Sequence, residues 1–126
     1  MKRVIAAVLL LGVAVVVSVW TNYVFESKMN GLASMLDIII DCTETADDHE
    51  LIEKTEKLVA QWHELSGILH SLVMHEGMDD VEENITALPH ILEHSDREEF
   101  RNKCIEAINQ IENLLNSEKL KLENIL

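Results

Sequence analysis

The hydrophobic pattern of this chain has two regimes that meet at Phe25. From Val4 to Phe25, 22 consecutive positions carry no charge, with Lys2 and Arg3 before them and Glu26 after. Beyond Glu26, apolar residues recur every three or four positions among acidic ones, which is the spacing of one helix face. Leu32, Met35, Leu36, Ile39 and Ile40 carry the first helix on to about Cys42 without a break. A second stripe, Leu51, Ile52, Leu58, Val59, Trp62, Leu65, Leu69, Leu72 and Val73, predicts a helix from about Asp48 to Glu76. A third helix uses Val81, Ile85, Leu88 and Leu92. A fourth uses Phe100, Cys104, Ala107, Ile108, Ile111, Leu114 and Leu115.

Polar residues between the stripes supply starts and stops. Asp47 with Glu50, Asp79 with Glu82, and Ser95 with Glu98 each have capping-box spacing. Gly77 tolerates the left-handed backbone and is the natural stop of the second helix. Pro89 removes a backbone donor inside the third, so a kink or break is expected near Ile85. The fourth helix is expected to fade near Asn116-Ser117. The tail 119–126 alternates polar and apolar residues, and two readings stay open: an extended segment laid on the bundle, or a fraying helix end.

These elements give an all-α fold, an N-terminal transmembrane helix continuing into a small antiparallel bundle of about four helices. Residues 1–25 form the anchor and 26–126 an acidic, extracytoplasmic domain. Short connections favour antiparallel neighbours, although a stack of helical hairpins fits the same stripes. The uncharged run is long enough for the anchor: at about 1.5 Å per residue it reaches roughly 33 Å, against a hydrocarbon core of about 30 Å. Trp20 and Tyr23 stand at its far end, where amphipathic rings prefer the headgroup level. Lys2 and Arg3 favour an N-terminus left inside. A cleaved signal peptide would have a shorter apolar region and a small-x-small site, which Val-Trp-Thr-Asn-Tyr does not offer.

Charge narrows the partners. Residues 26–126 hold 8 basic and 23 acidic side chains, a balance of −15. Such a surface repels nucleic acid and anionic headgroups, so no nucleic-acid role is expected. With one proline and three glycines after the span, turn-rich β folds are excluded. The 101 residues suffice for one small core.

Candidate chemistry is sparse. His90 and His94 stand four apart on one helical face beside Glu93, a workable pair of imidazole ligands, with His63 or His70 as a possible third. No Cys-x-x-Cys or His-Glu-x-x-His motif accompanies them, so no metal or other cofactor is assigned. His75 and Asp79 also stand four apart: a helix-end histidine and a cap, or a pair that responds to pH. Asp79, Asp80, Glu82 and Glu83 lack the alternating pattern of a calcium loop. Trp62 lies in the apolar stripe as a core anchor. Whether Cys42 and Cys104 form a disulfide is left open, and Asn84-Ile85-Thr86 is an incidental glycosylation match.

Taken in order, the pieces resemble a family. The span is followed by Trp62 in a long acidic helix, then by Leu72-Val73-Met74-His75-Glu76-Gly77-Met78-Asp79-Asp80-Val81-Glu82, and finally by Leu122-Glu123-Asn124-Ile125-Leu126. This is similar to the bacterial family catalogued as domain of unknown function 4363, met mostly in spore-forming anaerobic Gram-positive bacteria. The matching positions are Trp62, His75, Asp79, Glu82 and Asn124; Gly77 and Pro89 depart from a more plainly helical pattern. The resemblance implies a single-span, all-helical protein of the cell envelope and assigns no activity. The expected role is an interaction module that binds an envelope protein. A sensor domain for a small ligand or metal ion is the alternative. No nucleophile–base set points to an enzyme.

Overall fold

The computed structural model of the chain describes residues 1–72 and 77–125, with all side chains of these except 69–72, 118, 121, 122, 124 and 125. Four helices follow one another: α1 (Lys2–Cys42), α2 (Asp48–Leu72), α3 (Met78–His94) and α4 (Arg97–Ile125). No strand occurs among the described residues. α1 packs against α2 and α4, and α3 packs against the same two, while the diagonal pairs do not meet among the described residues. The contact between first and last helix closes the ring. A stack of hairpins would have kept them apart, so the regular bundle is the outcome.

The core follows from heptad-like spacing. Buried positions are Phe25, Met29, Leu32, Leu36 and Ile39 on α1, and Leu51, Thr55, Leu58, Trp62 and Leu65 on α2. On α3 they are Met78, Val81, Ile85 and Leu88, and on α4 Phe100, Cys104, Ala107, Ile111 and Leu114. At these positions steps of three and four alternate, the rhythm that keeps one seam facing the bundle axis, and Thr21, Ser66 and Ile108 are buried beside them. Each fully buried large apolar side chain contributes about 1.5–3 kcal/mol. The stripes read from the sequence therefore hold, with one exception: Ile52 is 45% exposed. Leu69, Leu72 and Val73 lie outside the described side chains.

Buried hydroxyls are satisfied locally. Thr55 Oγ1 donates to the Leu51 carbonyl at 2.7 Å, and Thr43 Oγ1 to that of Ile40 at 2.7 Å. Asn84 Nδ2 donates to Gln110 Oε1 at 2.7 Å, fixing the register of α3 on α4.

Three boundaries differ from the sequence reading. The first capping residue stands as expected, with Asp47 Oδ1 accepting from the Glu50 amide at 2.8 Å. The cap of α4, however, is Asp96, which accepts from the Glu99 amide at 2.8 Å. Ser95 is instead the extended C-cap of α3, its amide donating to the Ile91 carbonyl. Asp79 does not cap α3. The helix starts two residues earlier, capped by left-handed Gly77 (φ 95°), because Met78 is drawn into the core. Asp79 and Asp80 fall in the first turn, where they favour the positive helix end. Pro89 does not break α3, which runs unbroken to His94; near the helix end only the Ile85 carbonyl loses its donor. Finally, α4 does not fade at Asn116-Ser117. It stays helical to Ile125, because Glu118 to Glu123 are all good helix formers.

The apolar run and the bundle overlap. The run's most apolar stretch is wholly exposed, yet Thr21 and Phe25, at its far end, are buried. Roughly 62 Å of continuous helix, at about 1.5 Å per residue, thus joins the two without a hinge. At the opposite end Arg97 ties the connections together. Its Nη1 donates to the carbonyls of Thr43 (3.1 Å) and Ala46 (2.7 Å), and its Nη2 to Asp48 Oδ1 (2.8 Å).

Candidate functional site

The outer seam between α1 and α2 is a groove. Its floor and walls come from Val24, Ser27, Lys28, Gly31, Leu32, Met35, Ile38 and Ile39 on α1, and from Ile68, Leu65, Glu64, Gln61, Lys57 and Lys54 on α2, so one carboxylate stands among its three lysines. Depressions of about 170, 280 and 30 Å³ run into one another along it, sharing Met35, Lys28, Gln61 and Leu65. Gly31 opens the middle, since a side chain there would meet nothing within 4 Å. Ile38 and Ile68, near its two ends, stay 52% and 44% exposed.

The groove is basic in an acidic domain. Lys28, Lys54 and Lys57 are three of the eight cations after the apolar run. Lys57 also pairs with exposed Glu53 at 3.3 Å, a solvent-screened contact of little energetic weight. Apolar floor and cationic rim together suit an amphipathic helix with acidic flanks.

A second cleft, of about 440 Å³, lies between α1 and α4, lined by Asn22, Phe25, Glu26, Asn30, Glu112, Leu115, Asn116 and Lys119. Six of its eight lining residues are polar and of mixed charge, with Phe25 and Leu115 among them.

The residues singled out from the sequence do not gather into one site. Trp62 is fully buried and its indole Nε1 has no hydrogen-bond partner, so it is a core anchor. Asp79 is exposed on the first turn of α3, and Glu82 is half-buried with its carbonyl accepting from Thr86 Oγ1 at 2.6 Å. His75 lies outside the described residues. Asn124 falls in the last turn of α4, its side chain outside the description. His90 and His94 do come together, ring centroids 4.4 Å apart and tilted by 48°, with His94 Nε2 3.8 Å from Glu93 Oε2. Both are exposed, and among the described residues no group of three His, Cys, Asp or Glu is placed to hold a metal.

Cys42 and Cys104 are free thiols. Burial pushes the Cys104 thiol from its ordinary 9.0 up to about 12, so it stays protonated and unreactive. The sequence reading missed the lysine rim. The sequence did carry a signal, Lys54 and Lys57 three apart in an acidic helix, but their neighbour Lys28 lies on another element.

One family model matches this chain over residues 19–125, and its description reads Domain of unknown function (DUF4363). The chain belongs to the DUF4363 family. The match starts just before Thr21, so it takes in the end of the apolar run that packs into the bundle. No curated protein and no solved structure matches this DUF4363 chain.

Proposed function

We propose that this DUF4363 protein is a membrane-tethered interaction module of the bacterial cell envelope, its N-terminus cytoplasmic and its bundle outside. In this reading α1 spans the membrane once, and the bundle binds a protein partner rather than catalysing a reaction. The observation that carries it is the α1/α2 groove, an apolar trough with a cationic rim on an otherwise anionic domain. The exposed apolar length of α1 and the inner pair Lys2-Arg3 support the tether and its orientation. A small-ligand sensor would use the polar α1/α4 cleft instead, and that cleft is the observation favouring this second reading.

The test is in-cell photocrosslinking from two positions of the full chain, Ile38 in the groove and Glu99 on α4. A recurrent envelope partner is expected from Ile38 and not from Glu99. Lys54→Glu with Lys57→Glu should abolish the crosslink without unfolding the bundle, because Lys57 is exposed, Lys54 is half-buried and neither is in the core. Equal yields from both positions, or a crosslink indifferent to the charge reversal, would refute the docking role.

A further inference from the structure

The bundle does not end squarely. α3 begins at Met78, with Gly77 lying beside Ser117 of α4. α4 then continues for eight more residues, about 12 Å at the usual rise. It does so past Leu114, the last buried one among its described side chains, and it runs antiparallel to α1, with Lys119 lining the same cleft as Asn22. Six further residues, about 9 Å, bring Ile125 level with Val16, inside the uncharged run and below Trp20.

A helix end in water gains nothing from apolar residues. Yet Leu120 is 61% exposed, and Leu122 and Ile125 follow it in the sequence. The charge also changes here: Glu118, Lys119, Lys121 and Glu123 cancel, in a domain whose balance is −15. The repulsion that keeps the rest of the domain off anionic headgroups is locally absent. Lysine stems can lie on apolar surface while their ammonium groups reach lipid phosphate.

We infer that the last two turns of α4 are embedded in the headgroup and upper acyl zone of the bilayer, alongside the exit of α1. The bundle then touches the membrane at two points instead of hanging from one. This inference rests on the proposed tether, because it needs α1 to span the same bilayer.

Full-length chains carrying single cysteines in a Cys42→Ser, Cys104→Ser background would be labelled with an environment-sensitive fluorophore. They would be reconstituted in phosphatidylcholine vesicles containing nitroxide lipids. Leu9→Cys reports the span, Leu120→Cys the end of α4, and Glu98→Cys the far end of the bundle. The expected result is quenching by deep nitroxides at 9, severalfold stronger quenching by shallow nitroxides at 120 than at 98, and blue-shifted emission at 120. Quenching at 9 with position 120 as aqueous as 98 would overturn the inference and leave the tether standing. An aqueous label at 9 would overturn the tether, and this inference with it.

Discussion

Arg97 offers the sharpest test of how the bundle's far end is held. It is the only described side chain that bonds the α1–α2 connection from the start of α4. Its contacts are unequal. The two carbonyl acceptors belong to Thr43 and Ala46, which are 6% and 8% exposed, so water cannot readily replace the guanidinium. The carboxylate acceptor, Asp48, is 85% exposed on its side chain. A hydrogen bond to a charged group contributes about 1.5–3 kcal/mol, whereas an exposed ion pair contributes about 0–1 kcal/mol. Arg97 is itself 38% exposed, which discounts the carbonyl bonds, so Arg97→Ala should cost about 2 kcal/mol. Asp48→Ala should cost no more than about 0.5 kcal/mol. Arg97→Lys should recover little, because one ammonium cannot reproduce the fork. Urea unfolding of the full chain in detergent, followed by Trp62 emission in a Trp20→Phe background, reads all three. At a slope of about 2 kcal/mol per molar, Arg97→Ala shifts the midpoint down by about 1 M. Equal losses for Arg97→Ala and Asp48→Ala would refute the reasoning. So would an Arg97→Ala deficit that vanishes in about 0.5 M salt, since that would make the contact an ordinary screened ion pair.

Cys104 gives a pH prediction. Its thiol is held neutral by burial, so the folded pKa of about 12 lies above the ordinary 9.0. The stability it contributes is therefore complete below pH 9.0 and is lost as pH rises towards about 12. Denaturant midpoints of wild type should fall over that window more steeply than those of Cys104→Ala. In a Cys42→Ser chain at pH 8, a thiol reagent should label Cys104 only after urea is added. Trp62 gives a packing prediction: Trp62→Ala should cost about 3–5 kcal/mol, the usual penalty for emptying a buried aromatic site. Trp62→Phe should cost about 1 kcal/mol or less, because losing an unpartnered buried N–H offsets part of the lost packing. Thermal melts of the two variants check it, and equal losses would show that the N–H is not a burden.

The helices were legible because each carries its own seam. Phe100, Cys104, Ala107, Ile111 and Leu114 announce a buried face whatever packs against it, and so do Leu51, Leu58, Trp62 and Leu65. Caps were less legible, because adjacent acids compete. Ser95 and Asp96 both have a glutamate three residues on, and only the C-terminal geometry of α3 assigns Ser95 to one helix and Asp96 to the next. The end of α4 was left between an extended segment and a helix end for a different reason. Alternation from Lys119 to Leu122 has the period of a strand, but four residues of it cannot outweigh helix formers continuing an existing helix. The groove was legible only in one fragment, Lys54 and Lys57 three apart on α2. It exists only once α1 lies beside α2, and nothing local to Lys28 or Gly31 announces Lys54 and Lys57.

The position of the groove also limits what can occupy it. One wall is α1, and on the proposed reading that helix leaves the membrane without a hinge. A helix seated between α1 and α2 packs at a small angle to both, as ridges of one helix fit grooves of another at about 20°. Its axis must then run close to the membrane normal. Val24 and Ile68 mark the membrane-proximal end of the trough, and Ile38 and Lys54 the distal end. A peripheral protein approaching from the side would have to turn an end-on helix into this trough. A second membrane protein whose own span continues outward as an amphipathic helix arrives already aligned, and a bilayer shared with it raises its effective concentration. Its acidic residues should fall opposite Lys28 and, further out, opposite Lys54 and Lys57. The spacing between those cations along the trough therefore sets the register in which such a helix can dock.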